Sequence, residues 1–92
     1  MKGLRIDCAA VRFRGITYSV PAPGRHYDCI RVAAEATGEK YIDCHGDDQG
    51  FIDSTGRYLR RAQALRVALA SGQTTKESLG FKLGELFSED VW

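Results

Sequence analysis

Across Pro21-Ala22-Pro23-Gly24 the apolar residues change their period from two to between three and four, so a strand must give way there to a helix. Before the switch, Ile16, Tyr18 and Val20 alternate with Thr17 and Ser19, the pattern of a half-buried strand. Proline has no N–H to give a ladder, and Gly24 loosens the chain further. From about residue 25 to 37, Ile30, Ala33, Ala34 and Thr37 recur at helical spacing, and Gly38 sits where a helix would stop. Upstream, Leu4, Ile6 and Cys8 share one parity while Val11 and Phe13 take the other. Such a strand is buried on both faces or bulges near Ala9-Ala10. Arg14-Gly15 supplies the turn, so the chain opens with a β-hairpin.

Tyr41-Ile42 reads as a short strand and residues 45–50 as a polar turn. Gly50-Phe51-Ile52-Asp53 and Arg57-Tyr58-Leu59 flank Ser54-Thr55-Gly56, which predicts a second, tight hairpin. A helix follows from Arg60 or Arg61 to Ser71, with Ala62, Leu65, Ala68 and Leu69 as its apolar stripe and Gly72 as its stop. Leu79, Phe81, Leu83, Leu86, Phe87 and Trp92 make the last stretch too apolar for a free tail. Trp92 or Phe87 is expected to pack on the domain, with Glu85, Glu89 and Asp90 facing basic residues of 57–66. Ninety-two residues suffice for one core, so residues 1–92 are expected to form one domain. The predicted class is α+β: an antiparallel sheet of three to five strands with two helices packed on one face. Strands and helices alternate too irregularly for a doubly wound parallel sheet.

Thirteen basic and twelve acidic residues leave a net charge of +1. That balance gives no general attraction to nucleic acid or an anionic membrane, and neither is expected as a partner. No run approaches the roughly 20 apolar residues needed to span a bilayer. Cys8, Cys29 and Cys44 are odd in number and lack CxxC spacing, which fits free thiols in a cytoplasm. Cys8, His26, Cys29, Cys44 and His45 are too scattered for a zinc site, and His26-x-x-Cys29 is the one pair at useful spacing. Asp43, Asp47, Asp48 and Asp53 do not match a calcium loop. Neither a metal nor a cofactor is therefore expected. No GxSxG elbow, Walker loop or GxGxxG turn occurs, and no residue is assigned as catalytic.

One constellation remains. Arg57, Arg60, Arg61 and Arg66 fall in an acid-free stretch from 54 to 73, and Arg25-His26 opens the first helix. Arg25, His26, Arg57 and Arg61 are the candidate site for an anion or a protein partner. The opposing possibility is internal pairing, with Asp53 placed across a tight turn from Arg57. Convergence decides between them: a site needs these side chains in one pocket, whereas staples would each meet a carboxylate.

Pro23-x-Arg25-His26, Gln49-Gly50-Phe51-Ile52-Asp53, Gly56-Arg57-Tyr58-Leu59-x-Arg61, Gly72-Gln73 and the closing Ser88-Glu89-Asp90-Val91-Trp92 are also familiar in this order. Together they resemble a family of small accessory proteins encoded by bacteriophages and prophages, and the resemblance spans nearly the whole chain. Arg60, Ala62 and Gln63 depart from the family's pattern and make this helix more basic. The resemblance implies phage origin and action in the cytoplasm of a bacterial host, but supplies no activity. By analogy with other small phage proteins, the leading expectation is a non-enzymatic protein that binds and modulates a host protein, including defence components. The alternative is a nucleotide- or phosphate-binding protein using the Arg/His cluster. A homodimer through an exposed strand edge is a further expectation.

Overall fold

A computed structural model describes residues 4–44, 46–79 and 84–92. Strands β1 (Ile6–Phe13) and β2 (Ile16–Pro21) form the opening hairpin. Helix α1 (His26–Thr37) follows, then a 3-10 turn at Gly46–Asp48 and strands β3 (Gln49–Asp53) and β4 (Tyr58–Arg60). Helices α2 (Arg61–Ser71) and α3 (Lys76–Leu79) and a 3-10 turn at Ser88–Asp90 complete the chain. The four strands are antiparallel in the order β2-β1-β3-β4, with α1 and α2 packed against the sheet in an α+β arrangement.

The hairpin turns as its sequence requires. Arg14 and Gly15 both take positive φ, 53° and 80°, the twist that matches two right-handed strands. Both readings of the parity flip in β1 hold in part. Ala9, Ala10 and Val11 are all buried, and the register against β3 slips between Ile6 and Cys8, upstream of the predicted place. The slip has a visible partner. Gln73 accepts the Ile6 N–H at 2.6 Å and donates to the Ile6 carbonyl at 2.8 Å, standing in for a strand neighbour where β1 begins.

On the helix side, Ala9, Val11 and Phe13 of β1 and Phe51 of β3 meet Cys29 and Ala33 of α1 and Ala64, Leu65 and Ala68 of α2. Alanines at full burial let both helix backbones sit close to the sheet. On the other side, Ala10 pairs with Gly50, and Tyr58 closes over that glycine. A Cβ at Gly50 would collide with the Leu59 carbonyl and lie 2.8 Å from the Tyr58 ring. The Arg12 guanidinium stacks on that ring at 4.0 Å.

Tyr41-Ile42 is not a strand. Ile42 and Cys44 turn inward and Tyr41 outward, a strand-like alternation with no ladder partner. The tail packs as expected: Leu86 is fully buried and Trp92 lies against the core. The expectations for His45, Phe81 and Leu83, and for the Glu89 side chain, lie outside the described residues.

Candidate functional site

The N-termini of α1 and α2 open onto one cleft of about 370 Å³, lined by Arg25, His26, Tyr27, Arg61, Phe87 and Ser88. Each helix start carries the positive end of its dipole, an environment that suits an anion.

Arg25 stands at the N-cap of α1 because Pro21 to Gly24 hold the preceding chain out of helix. Asp28 Oδ2 accepts the Arg25 backbone N–H at 2.8 Å, while Asp28 Oδ1 pairs with Arg31 at 2.8 Å. The nearest acid in sequence is thus engaged elsewhere. Arg25 Nη1 is buried and, among the described residues, meets no acceptor.

Arg61 is the first residue of α2. Its Nη2 donates to Gln49 Oε1 at 2.9 Å, and its guanidinium lies over the Phe87 ring at 4.6 Å. Gln49 is held in turn by the Cys44 carbonyl at 2.8 Å. These contacts orient Arg61 without neutralising it, and its Nε is a second buried donor that meets no acceptor among the described residues. Leaving a buried donor unpaired costs about 1–3 kcal/mol, which an incoming acceptor would recover.

His26 is 7 % exposed, and its Nε2 lies 2.7 Å from the Gly50 carbonyl. That nitrogen must carry the proton and donate it. Edge-on contact with Phe51 at 4.9 Å fixes the ring further. His26 therefore ties α1 to β3 and forms the cleft wall.

The tail supplies the opposite wall. Trp92 Nε1 donates to the Gly24 carbonyl at 2.8 Å, beside Arg25, and its ring meets Phe51 edge-on at 6.3 Å. Asp90 Oδ2 accepts the Phe87 N–H at 2.9 Å and closes the turn that presents Ser88. This contact caps the tail's own turn.

Arg57 is not in the cleft. Its Nε lies 3.6 Å from Asp53 Oδ2. Asp53 is wholly buried, and Oδ1 accepts from the Thr55 N–H, the Thr55 hydroxyl and the Arg57 N–H at 2.9, 2.6 and 3.0 Å. Burial alone would raise this carboxyl; the Thr55 hydroxyl, the two N–H groups and the Arg57 charge together hold it below its ordinary value. Arg60 pairs with Asp47 at 3.6 Å, and Arg66 borders a separate hollow with Leu4, Val67 and Ala70. The basic stretch is thus divided among four settings, and Arg25, His26 and Arg61 are the candidates brought together.

Tyr27, Ser88, Phe87 and Gln49 belong to this site and were not singled out for it. Ser88 and Phe87 fall in the apolar, acidic tail, where the pattern signalled packing and not a wall. Elsewhere burial pushes the Cys29 thiol up to about 11, and Cys29 and Cys44 donate to the carbonyls of Ala9 and Arg12. Among the described residues no three His, Cys, Asp or Glu side chains gather as a metal site would require, and no helix is long and apolar enough to cross a membrane.

A family model described as phage T4 y16D protein matches residues 5–92. Searches of curated proteins and of solved structures return no match.

Proposed function

The chain belongs to the phage T4 y16D protein family, and on that premise we propose that it is a non-enzymatic binding protein working in the cytoplasm of the bacterial host. Its ligand carries phosphate and is held in the cleft between the two helix N-termini. One observation carries this reading: two guanidinium groups from separate elements meet there with no carboxylate partner among the described residues. Two fixed positive charges with unused donors suit a phosphate oxygen cluster. Ser88, 6 % exposed, adds a hydroxyl at the wall.

A thermal-shift screen with inorganic phosphate, pyrophosphate and phosphorylated metabolites tests the reading. A ligand at 100 times its dissociation constant adds about 2.7 kcal/mol to stability. Arg25→Gln and Arg61→Gln should each abolish the shift. No shift with any phosphate compound counts against an anion site.

A second reading, modulation of a host protein such as a defence component, draws on the sheet edge. Strand β2 has β1 on one side and, among the described residues, no strand on the other. Ile16 at its start is 54 % exposed. An open edge of this kind accepts a strand from a partner or from a second copy. Recovering the protein from host cells with its interactors tests this reading, and an Ile16→Lys variant should lose them. Failure to retain any host protein at micromolar affinity counts against it. Light scattering at micromolar concentrations tests the second copy, and a clean monomer ends that idea.

A further inference from the structure

Resting on the reading of the cleft as an anion site, we infer that its ligand is a phosphomonoester bearing a planar aromatic group, a nucleoside monophosphate in class. The phosphate lies against Arg25 and Arg61 and the base against Tyr27. Three observations lead there.

The first is size. The cleft of about 370 Å³ falls within the roughly 300–1,000 Å³ typical of small-molecule sites. Water takes about 30 Å³ per molecule in the liquid, so the space equals about a dozen waters. A bare phosphate would leave most of it filled with solvent.

The second is charge. Arg25 and Arg61 contribute two fixed positive charges, and a phosphomonoester carries about −1.5 to −2 near neutral pH. The count matches one such group. A pyrophosphate or triphosphate would bring more negative charge than these two groups balance.

The third is the rim. Ile16, Tyr27 and Tyr41 are the strongly exposed large apolar residues among those described, and Tyr27 is the one at the cleft. At 66 % exposure its ring lacks cover from the fold. Phe87, the other ring of the cleft, is already occupied by the Arg61 guanidinium. Tyr27 is thus the open aromatic surface two residues from Arg25, where a flat group attached to the phosphate would rest. Stacking of this kind is sequence-tolerant, because every base has a π-face.

Calorimetric titration at low salt with AMP, ribose 5-phosphate and adenosine separates the parts of this inference. AMP is expected to bind about tenfold or more tighter than ribose 5-phosphate, from the base stack alone. Adenosine, without the phosphate, should bind more weakly than AMP. Tyr27→Ala should bring AMP to the ribose 5-phosphate level while leaving ribose 5-phosphate unchanged, and Tyr27→Phe should keep the preference. Tyr27 is mostly exposed, so neither variant disturbs the core. Equal binding of AMP and ribose 5-phosphate overturns the aromatic ligand and leaves the anion site standing. So does a Tyr27→Ala variant that weakens both alike. Adenosine binding as tightly as AMP removes the role of the phosphate. If neither phosphate compound binds, the anion reading itself fails.

Discussion

Replacing Asp53 by Asn should destabilise the protein at neutral pH and matter less as the solution is acidified. The wild-type carboxylate is wholly buried, accepts three hydrogen bonds at Oδ1 and faces Arg57 at 3.6 Å through Oδ2. Hydrogen bonds to a charged acceptor contribute about 1.5–3 kcal/mol, against about 0.5–1.5 kcal/mol for a neutral one. Asn keeps an oxygen for the turn, so each of three bonds weakens by about 1 kcal/mol. Relief from burying a charge offsets part of this, leaving a net loss of about 2 kcal/mol. For a domain of this length that lowers Tm by about 8–16 °C. The sign with pH follows from the depressed carboxyl. The folded form holds Asp53 ionised below its ordinary value of 3.8, so its contribution is complete above that value and lost as pH falls through the folded one. Urea unfolding of wild type and Asp53→Asn at several pH values between 7 and 3 reads the difference, in which the other carboxylates cancel. The gap should narrow toward the acid end. Equal stability at pH 7, or a gap that widens on acidification, would contradict a stabilising role for the Asp53 charge.

Leu86→Ala should cost about 3 kcal/mol, measured by urea midpoint, because Leu86 is fully buried although it lies in the tail. A loss below about 0.5 kcal/mol, typical of surface sites, would show that the tail does not pack. Gly50→Ala should also cost about 3 kcal/mol or more, since its Cβ strikes the Leu59 main chain across the ladder; circular dichroism melting checks it, and an unchanged Tm contradicts the β3–β4 packing. With its thiol pushed up to about 11, Cys29 is about one part in a thousand thiolate at pH 8. Iodoacetamide followed by mass spectrometry should leave it unmodified in the native protein and label it readily in urea.

The elements were legible where the chain punctuates itself. Proline and glycine at 21–24, Gly38 and Gly72 bracket the helices, and the alternation of Ile16, Tyr18 and Val20 marks β2. Tyr41-Ile42 misled because alternation shows which side chains turn inward, while a strand also needs a neighbour with which to share hydrogen bonds. Gln73 was visible as a motif but not as a brace, since an amide bonded across 67 residues leaves no periodic trace. The site was legible in part for the same reason. Asp53 and Arg57 sit four apart across a turn, so their pairing can be anticipated. Whether Arg25 and Arg61 meet depends on how the two helices dock on the sheet. Tyr27 and Ser88 become wall residues through that docking alone.

Anion binding in the cleft is tested most directly at the Arg61 Nε–H group, a buried donor that meets no acceptor among the described residues. Its side-chain resonance can be followed by ¹⁵N NMR while AMP is added, together with the amides of Tyr27 and Ser88. An anion site gives saturable shifts confined to these groups, and their loss in an Arg25→Gln/Arg61→Gln double variant. Shifts centred on Arg57 or Arg66, or none up to millimolar ligand, would contradict it.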